Sequence, residues 1–321
     1  MNAHSVRTDR RKGKINRILR HIREKRVRYL FILPAFVWFF IFCYLPMGGL
    51  LIVFKDYSVA GGIFGSEWAS PISKYFEMFF DNPLLGDMIR NTVLVSLLKL
   101  LTGFPAPVVF AILLNECKFK RFRGVTQVVS YLPHLISWVM LVAMLNSLFS
   151  PTGEGGPLYA AVQALTGQKE VTYYLLKKEW FLPVTLFTNI WKGMGWNSII
   201  YLAAIKGINA ELYEAAEIDG ANRLKQIWHV MLPGILPTMC LLFIMSLGGL
   251  ASAGYEQIYL LQSPNNLEIS NVLDVYVVTV GLNQGNYEIA AVAGMFQSVF
   301  ALILTVIGNF VVGKLSDNSL W

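Results

Sequence analysis

The chain has 321 residues, 55% of them hydrophobic and only 15% charged, with a net charge of +7 at pH 7. A soluble domain of this length carries more charge, and the apolar residues are gathered into long runs, so the composition excludes an ordinary soluble protein and points to a membrane protein. Cys43, Cys117 and Cys240 lie in or at the end of apolar runs, with no CxxC or Cys/His spacing, so neither a disulfide framework nor a metal site is expected.

The first segment, Arg7 to Arg28, reads RTDRRKGKINRILRHIREKRVR. A nucleic-acid-binding arm is the competing reading of such a run. A hydrophobic stretch follows at once, however, and the positive-inside rule accounts for the basic residues without a nucleic-acid partner. Ile15, Ile18, Leu19 and Ile22 fall near one helical face. Both an interfacial helix on anionic lipid and a solvated basic tail fit this pattern. The next stretch, Tyr29 to Phe54, is longer than the apolar region of a signal peptide and has no clean cleavage site after it.

A membrane helix needs about 20 apolar residues. Six segments qualify: Tyr29 to Phe54, Asn91 to Asn115, Val125 to Phe149, Phe181 to Ile205 (polar in its middle), Gly234 to Ala253 and Ile289 to Val312. The expected fold is an all-α polytopic membrane protein with six transmembrane helices, comprising a basic N-terminal segment, 1–28, and a permease domain, 29–321. Prolines 34, 46, 105 and 107 are tolerable where neighbouring helices satisfy the freed carbonyls. With the N-terminus inside, the cytoplasmic pieces hold the N-terminal run, Lys118, Lys120, Arg121, Arg123, Lys206, Arg223, Lys225 and Lys314. The segment Tyr255 to Tyr287 has no Lys or Arg and falls outside. Both termini are therefore expected in the cytoplasm.

The segment joining spans four and five, 206–237, differs from the other connections. Helix formers run from Ala210 to Ile218, Gly220 breaks the chain, and Leu224, Ile227, Trp228 and Met231 mark a second amphipathic stretch up to Leu232-Pro233. Two short helices at an angle make a rigid knob. Ala215 and Ala216 give it a narrow face that a partner groove could enclose, and Glu214 and Asp219 offer charges for a partner or for capping the next helix.

The series Glu214-Ala215-Ala216, three residues, Gly220, nine residues, Val230, Met231, Leu232-Pro233 resembles the EAA loop of binding-protein-dependent ABC importer permeases. That family usually has Ile at the place of Val230. Asp219-Gly220-Ala221 resembles the sugar-permease branch. Tyr44-Leu45-Pro46-Met47, Phe54-Lys55-Asp56-Tyr57, Leu114-Asn115-Glu116, Tyr131-Leu132-Pro133-His134 with Ser137-Trp138, and Ser319-Leu320-Trp321 are similar to its branch for oligosaccharides of pectin, aldouronate or alginate type. The resemblance implies a type I ABC importer permease fold in a bacterial cell membrane. It also implies a second permease subunit (a heterodimer), two ATPase subunits, an extracellular binding protein and an oligosaccharide substrate. Coupling to the ATPase would fall to Glu214, Ala215, Ala216, Asp219, Gly220 and Ala221.

No Walker A sequence is present, since Gly13-Lys14 lacks the upstream glycine and the following Ser/Thr, so no nucleotide or other cofactor is expected on this chain. Lys192 near the middle of span four costs about 2.5–3.5 kcal/mol on insertion scales. Asn189, Lys192 and Trp196 share a helical face, with Asn197 alongside, and aromatic, amide and cationic groups suit a sugar or a uronate carboxylate. The other reading of Lys192 is structural, paired with an acid or a carbonyl of a neighbouring helix. Lys99 in span two either snorkels or pairs across the bundle, and His134 is read as structural rather than as a proton relay. From the resemblance, Tyr255, Glu256 and Gln257, with Tyr259, form an external gate or binding-protein contact, and the amphipathic segment Asp274 to Leu282 docks the binding protein. Small residues (Gly248, Gly249 and Ser252 in span five; Ala290, Ala293 and Gly294 in span six) suit close helix contacts.

A stand-alone secondary transporter would need inverted repeats and intramembrane acids, and neither is evident. An intramembrane enzyme would need a motif such as HExxH, GxSxG or paired aspartates in the spans, and none is there, so no catalytic residue is assigned.

Overall fold

The computed structural model describes residues 25–151, 156–167 and 171–315. The basic run up to residue 24, Lys169 and the terminal Ser319-Leu320-Trp321 lie outside the described residues. The chain forms two units, Met1–Ala69 and Ser70–Trp321.

In the first unit a single 29-residue helix runs from Arg26 to Phe54. It begins as α1, Arg26–Phe39, widens into a π turn over Phe40–Tyr44, and tightens into a 3₁₀ helix over Leu45–Phe54. Pro46 explains the change. A proline has no N–H and its ring crowds the carbonyl four residues back, and the extra residue of a π turn makes room for it. The apolar run stops at Lys55, where strand β1 (Lys55–Asp56) pairs antiparallel with β2 (Glu67–Trp68). Lys55 is buried; its ammonium donates to Phe64 O (3.2 Å) and Ser66 O (3.1 Å) beneath the Trp68 ring.

The second unit is helical throughout its described residues. Helix α2 is Lys74–Phe80, and α3 (Leu85–Gly103) runs on into α4 (Pro105–Glu116) as one 32-residue span. The third span was expected to be continuous. Instead α5, Lys120–Leu135, and α6, Trp138–Leu148, meet at 100°. Pro133 weakens the last turn of α5, and the extended Ser137 opens α6 by accepting from Met140 N. A short apolar helix, α7 (Pro157–Thr166), follows, then the 29-residue α8, Lys178–Lys206.

The knob is α9 (Ala210–Ile218) and α10 (Arg223–Gln226). The second helix does not stop at Pro233, as was expected. A π turn over Ile227–Met231 absorbs that proline, and the chain continues through α11, Leu232–Leu247, to make one 29-residue helix, Arg223–Ala251. Helices α12 (Tyr255–Leu261) and α13 (Leu273–Val278) are short, and α14, Tyr287–Leu315, closes the bundle.

Among the described residues four helices are long and apolar enough to cross a membrane, five if the bent α5–α6 pair is taken as one span. Helix α8 spans about 44 Å at 1.5 Å per residue, but its polar middle lowers its apolarity. Buried clusters among the described residues hold the unit. Val95, Leu141, Phe181, Ile258 and Val272 form one, and Val108, Ala111, Tyr201, Ile205, Met231 and Ile235 another.

Of the small residues expected at close contacts, Gly248 lies against Thr305, whereas Gly249 and Gly294 face open space within this chain. A tight approach is at Gly195 of α8, where any added Cβ would overlap the Ser130 carbonyl of α5. Gly195→Val should therefore destabilise the α5–α8 packing by about 1–3 kcal/mol. The check is the melting temperature of the detergent-purified protein, with an unchanged value counting against this packing.

Candidate functional site

A cavity of about 370 Å³ opens between α3, α8 and the 223–251 helix. Asn189, Gly193, Asn197 and Tyr201 line it from α8, at helical spacing on one face. Ser96 and Lys99 line it from α3, Leu242, Ser246, Gly249 and Leu250 from the long helix, and Ser252 from just past its end. Gly103 makes room for the Asn189 amide, which would lie 2.9 Å from a Cβ there.

The stripe expected on α8 divides. Asn189 and Asn197 line the cavity, while Lys192 and Trp196 turn toward the α5–α6 break. The Lys192 ammonium donates to His134 O (3.1 Å), Pro133 O (3.4 Å) and Ile136 O, and lies 5.3 Å from the centre of the Trp138 ring. Trp196 stacks on His134 with ring centres 4.7 Å apart. Pro133 O also accepts from Ile136 N (3.3 Å), and for the carbonyls that the break takes out of the helical ladder a nearby cation is a substitute donor in a water-poor setting. The carbonyl-pairing reading of Lys192 is the one its contacts match.

A second break, at 252–254, is held in the same manner. Three successive carbonyls that end the long helix each meet a side chain from elsewhere. Gln297 donates to Ala251 O (2.6 Å), Ser96 to Ser252 O (2.9 Å) and Lys99 to Ala253 O (2.5 Å). Gly254, at φ +87°, supplies a left-handed backbone that other residues rarely adopt. Asp274 accepts from Ser252 Oγ (2.8 Å), Ala253 N (2.5 Å) and Gln297 Nε2 (2.7 Å).

Two residues expected at an external contact are thus turned inward. Asp274 serves this break, and Gln257 is 1% exposed, donating to Thr185 O and Thr188 Oγ1 at 2.8 Å each. A short helix this close to the bundle must satisfy its polar side chains inside it. Glu256 is exposed and Tyr255 half-buried, the latter beside Tyr259.

The knob is closed at both ends by its own sequence. Asn209 Oδ1 accepts from Glu211 N (3.1 Å). At the other end Gly220, at φ +73°, lets Ala221 N donate to Ala216 O (2.8 Å) and Gly220 N to Glu217 O (3.0 Å). That is a Schellman motif. Asn222, not Asp219, caps the next helix, accepting from Lys225 N (3.0 Å). Glu214, Ala215, Asp219 and Gly220 are exposed, and Ala216 and Ala221 half-buried. Apolar side chains surround them, with Ile218 87% and Trp228 67% exposed. On the opposite side Tyr213 packs into the Val108–Ile235 cluster, and Arg223 Nε lies 3.6 Å from Glu116 Oε2 at the end of α4. Burial pushes the Tyr213 phenol pKa up, Glu116 adds to the shift, and Arg223 opposes it. These anchors were not singled out from sequence, although the position of Tyr213 opposite the exposed alanine face was the available signal.

Residues 103–317 match the model of the "binding-protein-dependent transport system inner membrane component" family, over half of the chain. The chain belongs to this family. As an inner membrane component it is a non-catalytic part of a transporter that works with a binding protein. It is 37% identical to the polygalacturonan/rhamnogalacturonan transport system permease protein YteP of Bacillus subtilis, over 97% of this chain and 95% of that one. It is also 37% identical to protein LplB of the same organism, over 91% and 90%. Among solved structures it resembles a chain of a bacterial ABC transporter involved in import of the acidic polysaccharide alginate, with TM-score 0.81, 35% identity, and 94% and 99% of the two chains covered. A further structure of the alginate transporter, in complex with a periplasmic protein carrying an alginate pentasaccharide, matches with TM-score 0.82 and 34% identity, over 95% and 100%.

Asp274→Ala in this inner membrane component removes the shared acceptor of three donors and should cost about 2–3 kcal/mol. The readout is a lower melting temperature of the purified complex, and an unshifted one would contradict the role given to Asp274.

Proposed function

We propose that this chain is one of two different permease subunits of an ATP-driven importer, powered by two ATPase subunits, and that it passes an oligosaccharide inward from an external binding protein. The polysaccharide-linked names of its relatives support the substrate class, and those of polygalacturonan and alginate favour an acidic one. The Lys/Arg distribution supports six spans, with α8 among them, both termini in the cytoplasm and the 1–28 segment at the inner surface.

One observation carries the reading. The second part of the knob, 223–231, is continuous with the helix whose far half lines the cavity, and the Schellman turn at Gly220 joins α9 to it. A load applied at Glu214–Ala221 therefore reaches the cavity wall through that turn and one continuous helix. ATPase closure would move the knob, and the long helix would carry that displacement to Ser246, Gly249 and Ser252. Such a bundle has two packed arrangements, and nucleotide and loaded binding protein bias it between them. Asn189 and Asn197 offer amides to sugar hydroxyls along the path, and Lys192 and Trp196 keep its wall in place through the α5–α6 break. Tyr255 and Glu256 stand at the outer mouth as gate or binding-protein contact.

The test replaces Gly220 with Pro, which cannot hold a positive φ, and separately Glu214 with Lys. Each variant should still assemble, but ATP-driven uptake in proteoliposomes should fall at least about tenfold, a coupling loss of about 1.4 kcal/mol or more. Uptake equal to wild type in both would remove the knob from the mechanism.

A further inference from the structure

We propose that Lys99 is a specificity-determining residue that reads a carboxylate of an anionic oligosaccharide as it passes through the cavity. This rests on the import reading above and adds to it the group that selects for charge.

Two lysines stand within spans, and their surroundings differ. Lys192 meets three carbonyls and an aromatic face, so its three N–H donors are taken. Lys99 is the one charged residue among those lining the 370 Å³ cavity. Its ammonium donates to Ala253 O at 2.5 Å, and among the described residues that is the acceptor it meets. Its other two N–H groups have no acceptor among the described residues, and the side chain lines the cavity. Asp274 faces the same break, but its two oxygens are held by the Ser252 hydroxyl, the Ala253 N–H and the Gln297 amide, so it does not close onto the ammonium. A Cβ at Gly254 would come within 3.3 Å of Lys99 Nζ, so the glycine lets the ammonium sit against this backbone. The amides of Asn189 and Asn197 line the same cavity and suit the hydroxyls of the same sugar. A carboxylate entering this site gains a charge-assisted bond from a donor that has already been desolvated and fixed by its carbonyl.

The experiment uses the whole transporter with its binding protein in proteoliposomes. The probes are tetragalacturonate and tetramannuronate, against arabinotetraose and galactotetraose, with uptake expressed per assembled complex. Wild type should concentrate an acidic probe with ATP. Lys99→Met should lower that uptake at least about tenfold, and Lys99→Arg should restore most of it. Asn197→Asp keeps Lys99 and its contacts but places a like charge against the substrate, and it too should lower acidic uptake at least about tenfold. It decides the matter if Lys99→Met does not assemble. Wild-type uptake of acidic probe in Lys99→Met or in Asn197→Asp would overturn the proposal, as would an Arg variant no better than Met. A wild type that concentrates only the neutral probes would overturn it while leaving the import reading in place. ATP-dependent uptake of none of the four would bring down the import reading itself.

Discussion

Every backbone carbonyl in the hydrocarbon region must find a donor inside the protein, and the two breaks in this bundle depend on that constraint. At 133–136 the donor is Lys192, and at 251–253 the donors are Gln297, Ser96 and Lys99. A lysine in a span costs about 2.5–3.5 kcal/mol on insertion scales. A hydrogen bond to a charged group contributes about 1.5–3 kcal/mol, so a lysine that reaches one or more orphan carbonyls largely offsets its own cost. Without these side chains the helices could not be interrupted. Without interruptions the 251–254 break beside Ser252 and Lys99 would not form.

The breaks also determine which parts move as units. The 223–251 helix is continuous through Pro233 because a π turn absorbs the proline, and it ends at the Lys99–Asp274–Gln297 node. The exposed alanine face lies beside one end of this helix and part of the cavity wall lies toward the other. The Schellman turn at Gly220 and the Tyr213 and Arg223–Glu116 anchors join α9 to the same body. In the importer proposed above, a displacement at the knob passes through these contacts to the long helix instead of being absorbed in a loop.

Much of this was legible in the sequence. The apolar runs marked four helices long and apolar enough to cross a membrane and the bent α5–α6 pair, while the span expected at Phe181–Ile205 lies in the polar-centred α8, and the knob followed from helix formers, a glycine and a second amphipathic stretch. The features that were not legible depend on tertiary partners. The prolines at 133 and 233 have the same local chemistry. One lies next to a 100° bend and the other within a continuous helix, because Lys192 and Ser137 stabilise the first break and a π turn relieves the second. Asn189 and Trp196 were assigned to one face by spacing. The pull of the α5 carbonyls on Lys192, and the stacking of Trp196 on His134, moved two members of that stripe away from the cavity. Gln257 and Asp274 were placed at an external contact by the resemblance, and the carbonyls, hydroxyls and amides packed against them account for the burial of Gln257 and the inward turn of Asp274.

The central claim is that the knob meets an ATP-hydrolysing partner on the cytoplasmic side and passes its motion to the bundle. Its most direct measurement is a single cysteine at position 214, probed in the assembled transporter with a membrane-impermeant maleimide applied from each side and with a short crosslinker. Labelling from the cytoplasmic side alone, blocked by the bound ATPase and replaced by a crosslink to it, is the result expected. Labelling from the outside, or no crosslink to any nucleotide-hydrolysing subunit, would contradict the account.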